Sequence, residues 1–317
     1  MIGSSFTRYC STGTISYDPL VNDCEWDVFI SAYNDSDRVK TTFTNSKATR
    51  KIWWILPEYG YDSTEVPSDE EVMFLNDHDE DTLVINGIDG IGKDALREAK
   101  VCIDITGFMR PHLLFLMRYL PTIGVNTYDM LYTEPTHYSL KSDTEFTSSS
   151  VKSVRTVAGY AGQHDTDLSN DHVIVGVGYD HELIARVVST KESAKFVQLH
   201  SFPSLSADMY HESLIRLNKV DNAMPRVDQD VFFSSANDPF VTAAALSDAV
   251  TKLYSNKPIT NLYLSPLATK VQAIGFGLFY LKEKLPCPVS MIFPFSSNYN
   301  RKTSSGIGRS WLYKISI

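Results

Sequence analysis

Two short loops in this sequence combine a hydroxyl with a cation at the start of a helix-like run. One loop, residues 106–110, reads TGFMR, and the other, residues 266–270, reads PLATK. Small residues at the start of a helix expose backbone N–H groups that bind anions, and a threonine and a cation add donors for a phosphate. In the alternative interpretation, the threonine caps the helix and the cation lies on the surface. The predicted ligand-binding residues of these loops are Thr106, Gly107, Arg110, Thr269 and Lys270.

Two more loops carry an acid after an apolar run. Residues 31–35 read SAYND and residues 176–180 read GVGYD, with Tyr179 beside the second acid. Each carboxylate can cap the following helix or bind a ribose or a base edge. The candidate ligand-binding residues of these loops are Asp35, Tyr179 and Asp180. The candidate acid and base groups, if the protein turns its ligand over, are Asp180, His181 and Glu58.

A third glycine-rich segment, residues 87–94, resembles a phosphate-binding P-loop of the form GxxxxGK[ST]. It reads GIDGIGKD, and we predict an apolar strand before it at residues 82–86 and a helix after it from Lys93 to Lys100. Asp94 stands where a serine or threonine hydroxyl must bind Mg²⁺, and its carboxylate repels phosphates. We therefore expect a glycine-rich turn that opens a helix, without ATP hydrolysis.

The C-terminal stretch at residues 295–302 reads FSSNYNRK and is basic within an acidic protein. Its cations can sandwich a base and a phosphate together with Tyr299 and Trp311. The same residues can equally form a solvated tail. Both interpretations of this stretch remain open at the level of the sequence.

The elements that must position these loops alternate along the chain. Strand-like apolar runs alternate with helix-like amphipathic runs, which is typical of an α/β protein with a mainly parallel sheet. Strands are predicted at residues 27–31, 51–56, 82–86, 101–106, 126–132, 153–160, 173–177, 196–200, 231–234, 260–264, 288–293 and 311–313. Helices are predicted at residues 35–45, 93–100, 111–120, 181–188, 207–218, 239–254 and 271–282.

The two halves of the chain can be laid over each other. DVFISAYNDSDRV at 27–39 matches HVIVGVGYDHELI at 172–184, and VCIDITGFMR at 101–110 matches NLYLSPLATK at 261–270. The second match places Arg110 over Lys270. We interpret this as two tandem Rossmann-like parallel-sheet units related by an internal duplication, although any two doubly wound units share this rhythm. The predicted domains are 1–140, a linker at 141–170, and 171–317.

Composition narrows the function classes. The chain has 317 residues, 43% of them hydrophobic and 21% charged, which suits a folded globular protein and excludes a disordered or fibrous one. A net charge of -9 disfavours non-specific binding to duplex nucleic acid or to an anionic membrane. The four cysteines are far apart and show no zinc spacing, and no signal peptide or transmembrane run is visible. We expect a cytoplasmic protein without a metal or other cofactor.

The first ligand loop also resembles a known family. VCIDITGFMRPHLLFL resembles the ligand loop of CARF domains, which are Rossmann-like sensors of cyclic oligoadenylates in prokaryotic immunity. NDPFVTAAALSDAV and NLYLSPLATKVQAIGF in the second half are similar in arrangement, but PLA stands there in place of the family's glycines, of which the first half keeps Gly107. Two such units in one chain resemble the SAVED architecture. WDVFISAYNDSDRV also resembles the first strand of TIR domains, for whose catalytic glutamate Glu58 is the candidate.

The resemblance implies a nucleotide-recognition protein that regulates a prokaryotic antiviral defence system. It would bind an anionic nucleotide, cyclic nucleotides included, between two lobes at the loops of Arg110 and Lys270, and a partner effector protein would supply the output. One alternative is a nucleotide-processing enzyme, either a ring nuclease or an NAD glycosidase. Another is a purely structural adaptor subunit.

Overall fold

The chain forms two compact units. The computed structural model describes residues 14–18, 24–138, 151–205, 211, 213–215, 230–296, 298–301 and 304–317. The described part of the N-terminal unit lies within residues 14–138 and 296–317, and that of the C-terminal unit lies within residues 151–295. The tail from residue 296 onward therefore belongs to the N-terminal unit, whereas the domain bounds predicted from the sequence include it in the second domain.

The elements are numbered in chain order. The strands are β1 (Thr14–Tyr17), β2 (Glu25–Ala32), β3 (Lys47–Ile55), β4 (Glu71–Phe74), β5 (Val101–Asp104), β6 (Thr127–Thr133), β7 (His137–Tyr138), β8 (Ser153–Thr156), β9 (His172–Val177), β10 (Lys195–Ser201), β11 (Asp230–Ser234), β12 (Leu262–Pro266), β13 (Val289–Phe295), β14 (Ser304–Ser305) and β15 (Ser310–Ser316). The α-helices are α1 (Asp37–Asn45), α2 (Glu80–Ile91), α3 (Lys93–Glu98), α4 (Arg110–Tyr119), α5 (His181–Thr190), α6 (Pro239–Asn256) and α7 (Lys270–Lys282).

The sheet of the N-terminal unit has the order β1-β15-β6-β5-β2-β3-β4. The strands from β6 to β4 are parallel, and β15 runs antiparallel to both β6 and β1. Every residue of β5 is buried, as expected for a central parallel strand that is covered on both faces. The α/β class predicted from the sequence is thus confirmed for this unit.

The sheet of the C-terminal unit has the order β11-β10-β9-β12-β13-β8. Its strands are parallel except for β8, which runs antiparallel to β13. Counted within each unit, the five parallel strands of both sheets follow the order 3-2-1-4-5, with an antiparallel strand beside the fifth. In such doubly wound sheets, ligands bind beyond the carboxyl ends of the first and fourth strands, where the order reverses. These strands are β2 and β5 in one unit and β9 and β12 in the other.

The antiparallel strands β8 and β15 each belong to a different sheet from the strands that precede them in the sequence. β8 follows the N-terminal unit's β6 but pairs with β13, and β15 follows the C-terminal unit's β13 but pairs with β6. β15 is held in its sheet by Leu312, Tyr313 and Ile315, which are all buried. The predicted last strand at residues 311–313 is confirmed, but the two strands that it pairs with, β6 and β1, both lie in the first half of the sequence.

One predicted strand is wrong. Residues 82–86 lie within α2, and the strand of that region is β4, where we predict no strand from the sequence. The buried residues of α2 recur with helical spacing and form one face; they are Glu80, Leu83, Val84, Gly87, Ile88 and Ile91. A five-residue apolar window is too short to distinguish that period from a buried strand.

The glycine-rich turn that we expect from residues 87–94 is limited to Gly92, which has a φ of 102° and lies between α2 and α3. Residues 87–91 are helical, and Lys93 opens α3 with an ion pair to Asp89 at 2.8 Å. The predicted helix at 207–218 lies largely outside the described residues. Within the part of the chain that the structure describes, no helix combines the length and the apolar character that crossing a bilayer requires.

Candidate functional site

Three loops converge on Gly107 at the carboxyl edge of the N-terminal sheet. A Cβ on Gly107 would lie 1.9 Å from the carbonyl oxygen of Ala32, the last residue of β2, so only glycine allows this approach. The hydroxyl of Tyr59, which follows β3, donates to the carbonyl oxygen of Gly107 at 2.9 Å. The loops after β2, β3 and β5 are therefore tied together at the point where the strand order reverses.

The predicted ligand residue Thr106 is engaged within the sheet. Its hydroxyl oxygen accepts from the backbone N–H of Thr133 at 3.1 Å, and its own N–H donates to the Asp104 carboxylate at 3.0 Å. The hydroxyl of Ser31 donates to the other oxygen of Asp104 at 2.8 Å. All four residues are buried. Asp104 thus holds β2 and the loop after β5 together.

The electrostatic potential at the start of α4 favours an anion. Met109 occupies the N-cap position and makes no side-chain capping bond, and the first turn contains no acidic residue. Arg110 is the first helical residue and Pro111 the second. The positive end of the helix dipole therefore coincides with a cation, although helices generally favour acids there.

A buried carboxylate–imidazole pair lies beside this helix start. Glu58 Oε1 lies 3.2 Å from His112 Nε2, and both side chains are more than nine-tenths buried. Burial raises the pKa of the Glu58 carboxyl, but the charge and hydrogen bond of His112 outweigh it and hold that pKa below its usual value. Glu58 Oε2 and His112 Nδ1 are buried without a hydrogen-bond partner among the described residues. Sequence reasoning considered Glu58 but missed His112, whose only signal is a histidine within the apolar run PHLLFL.

Arg38 is a second cation at the same edge that sequence reasoning missed. It lies in the first turn of α1, and its Nη1 donates to the carbonyl oxygen of Thr133 at 2.8 Å. Its Nε is buried without a hydrogen-bond partner, and Arg38 forms no ion pair within the described ranges. Burial raises the pKa of the neighbouring Tyr59, and the charge of Arg38 partly offsets that rise.

Asp35 lies at this edge but has local partners. Its carboxylate forms an ion pair with Lys40, and its backbone N–H donates to the Tyr61 hydroxyl at 3.0 Å. Both charged side chains of the pair are exposed. Asp35 therefore organises the start of α1, and its assignment to a ligand remains a prediction.

The predicted residues of the C-terminal unit begin two helices. Thr269 caps α7: its hydroxyl accepts from the Gln272 N–H at 3.0 Å and donates to the Ala236 carbonyl at 2.7 Å, and Lys270 is the first helical residue. Asp180 caps α5 by accepting from the Leu183 N–H at 3.3 Å, with the half-buried Tyr179 before it. Thr269 and Asp180 therefore act as helix caps, which is the alternative that the sequence left open beside ligand binding.

The polar side chains that are buried at the carboxyl edge of the C-terminal sheet include Gln272, Ser234 and His200. Gln272 accepts from the Ser201 hydroxyl and donates to the Ser234 hydroxyl, each at 2.8 Å. His200 lies 2.7 Å from the side-chain oxygen of Gln198, and burial lowers its pKa to about 4. This edge therefore carries no charge from His200 at neutral pH.

A serine–histidine–asparagine chain lies at the opposite edge of the C-terminal sheet. Ser290 Oγ is 3.0 Å from His164 Nε2, and His164 Nδ1 is 3.3 Å from Asn261 Oδ1. Ser290 is fully buried and its hydroxyl already accepts from the Gly162 N–H at 2.8 Å. Because no reagent can approach that oxygen, the chain anchors the segment that leads into β9.

The charged edge of the N-terminal unit is therefore the candidate functional site, and we call it the Gly107 site. It comprises Arg38, Glu58, Tyr59, Thr106, Gly107, Arg110 and His112. Among the described residues, no three His, Cys, Asp or Glu side chains are grouped to hold a metal ion. No family model and no curated protein that was compared matches the chain.

Proposed function

We propose that the protein recognises an anionic nucleotide at the Gly107 site of its N-terminal unit. The observation that carries the proposal is the pairing of Arg38, a cation without a carboxylate partner in the described ranges, with an uncapped helix start at Arg110. Both lie at the reversal point of a parallel sheet, where phosphate-bearing ligands bind in doubly wound folds. A buried or half-buried guanidinium is most stable when an anion shares its site.

The biological setting of the proposal follows from the resemblance of TGFMR to CARF ligand loops. We infer a cytoplasmic regulator of prokaryotic defence that passes the binding signal to a partner effector. An internal duplication is part of this inference, and the common 3-2-1-4-5 strand order of the two sheets supports it. Arg110 and Lys270 support it further, since each begins the helix after the fourth strand of its unit.

A second candidate function is nucleotide turnover. The Glu58–His112 pair favours it, because a carboxylate that orients an imidazole is a common general acid–base arrangement. Of the acid and base groups suggested by the sequence, Asp180 instead caps a helix. Chromatography of nucleotides incubated with the protein separates turnover from binding.

Titration calorimetry against a nucleotide panel tests the proposed function. Arg38→Ala and Arg110→Ala should each weaken binding of the best nucleotide, since losing one charge-assisted contact costs about 1.5–3 kcal/mol. That corresponds to roughly ten- to hundredfold in affinity. Lys93→Ala is the matched control, because Lys93 pairs with Asp89 on the surface and should leave binding unchanged. Absence of binding to every nucleotide, or loss of binding in the control, contradicts the proposal.

A further inference from the structure

The C-terminal tail returns to the Gly107 site through residues 298–301, which we call the strap. The backbone N–H of Tyr299 donates to the carbonyl oxygen of Glu58 at 3.0 Å. The side-chain amide of Asn34 donates to the carbonyl oxygen of Arg301 at 3.1 Å. The main chain of the strap therefore joins the loop after β2 to the loop after β3.

The Arg301 side chain fastens the strap. Its Nε donates to the Tyr59 carbonyl at 2.7 Å, its Nη1 donates to the Glu65 carboxylate at 2.7 Å, and its Nη2 donates to the carbonyl oxygen of Gly60. The guanidinium lies over the Tyr61 ring at 4.0 Å from the centroid, an additional cation–π attraction. The hydrogen bond from Arg301 lowers the pKa of Glu65. The sequence suggests that the cations of this stretch hold a ligand together with Tyr299 and Trp311. In the structure Arg301 instead binds other residues of the N-terminal unit, and the indole N–H of Trp311 donates to the Glu134 carboxylate at 2.9 Å.

The strap and the ligand loop meet at one dipeptide. Glu58 accepts the strap through its carbonyl oxygen and binds His112 through its carboxylate. Tyr59 accepts Arg301 through its carbonyl oxygen and binds Gly107 through its hydroxyl. Movement of this dipeptide therefore changes both the strap and the start of α4.

The ligand loop is covered in this arrangement. All four residues from Thr106 to Met109 are buried, so a nucleotide cannot contact their backbone N–H groups without some opening. The Arg301–Glu65 pair, by contrast, is more than a third exposed on each side. Exposed pairs are weak and are screened by salt, so this contact is the one most easily released.

We propose that residues 298–301 form a regulatory strap that holds the Gly107 site closed until Arg301 is released. This inference rests on the proposed function and names the regulation of the same site. A protein whose binding-competent state is a fraction of the population binds with an affinity reduced by that fraction. Release of the strap therefore raises the affinity for the nucleotide.

Hydrogen exchange in the ligand-free protein tests the strap. Arg301→Gln should accelerate exchange about tenfold or more in peptides covering residues 57–65 and 104–112, and added salt should act in the same direction on the wild type. Arg309→Gln is the matched control, because Arg309 is an exposed arginine of the same tail. Unchanged exchange in the Arg301 variant overturns the proposal.

The second test measures the affinity of the Arg301→Gln variant for the best nucleotide by calorimetry. Arg301→Gln should bind it about tenfold more tightly if roughly 90% of wild-type molecules are strapped. Faster exchange combined with weaker binding overturns the proposal, because the strap would then support the site and not close it. If neither protein binds any nucleotide, the proposed function fails, and the exchange data alone decide whether residues 298–301 hold the two loops.

Discussion

The carboxyl edges of the two sheets share a strand order but differ in chemistry. The N-terminal edge buries the Asp104 carboxylate and the Glu58–His112 pair beside Arg38, whereas the C-terminal edge buries Gln272 and the Ser234 hydroxyl and leaves its charged residues Asp180 and Lys270 half-buried. Burying charges is costly unless they are paired, and neutral hydrogen bonds would hold loops equally well. Topology thus fixes where a site can form, and the charges indicate that the N-terminal edge is the specialised one.

In both units the loop after the first strand and the loop after the fourth strand approach each other closely at a glycine, but the glycine lies on a different loop in each unit. In the N-terminal unit the glycine lies on the loop after the fourth strand, where Gly107 meets the Ala32 carbonyl. In the C-terminal unit it lies on the loop after the first strand, where a Cβ on Gly178 would be 2.2 Å from the Leu267 carbonyl. The missing glycine in PLATK is therefore supplied by the facing loop.

The largest expected effect comes from filling these approaches. Gly107→Ala and Gly178→Ala should each cost at least about 3 kcal/mol of unfolding free energy, because backbone must move to make room. All four tryptophans lie in the N-terminal unit, so in urea only Gly107→Ala should shift the fluorescence transition, whereas far-UV circular dichroism reports both units. Gly90→Ala is the control, since its Cβ meets only the tip of the flexible Met73 side chain. If Gly107→Ala and Gly178→Ala both unfold at the same urea concentration as the wild type, the close approaches do not require glycine in either unit.

Much of the fold could be predicted from the sequence because apolar runs mark parallel strands strongly. β5 and β12 were expected close to where they lie, and so were the helix starts at Arg110 and Lys270. The contribution of β15 to the first unit could not be predicted, because pairing between distant segments leaves no local pattern. The Glu58–His112 pair was missed for the same reason: 54 residues separate its members, and only the fold brings them together.

Acidic pH should lower the stability of the C-terminal unit more than that of the N-terminal unit. His200 has a pKa lowered to about 4 by burial, so it binds fewer protons folded than unfolded between about pH 4 and 6.5. Stability of the C-terminal unit should therefore fall by up to about 3 kcal/mol as the pH drops through that window. The pKa of Glu58 is also lowered, but from a carboxyl's value, so the contribution of Glu58 is lost only at more acidic pH.

The measurement is urea unfolding at pH 7 and pH 5 by both probes. Dichroism should show an early transition at pH 5 that tryptophan fluorescence does not follow. His200→Asn removes one titrating group and should reduce the difference between the two pH values to what remains from His172, whose pKa burial also lowers. A wild-type protein whose two probes remain coincident at pH 5 would show that burial of His200 does not distinguish the units.

The smallest expected effect sharpens the comparison most directly, because it concerns a residue that sequence reasoning assigned to the ligand. Thr269→Ala removes the cap of α7 and the donor to the Ala236 carbonyl, and should cost about 1–2 kcal/mol of stability in the C-terminal unit. Thr269→Ser keeps the hydroxyl and should stay within about 0.5 kcal/mol of wild type. Neither variant should change nucleotide affinity in calorimetry, since the proposed site lies on the other sheet. If Thr269→Ala weakens nucleotide binding tenfold while the serine variant does not, the C-terminal edge also binds ligand, and the contrast between the two units is not one of function.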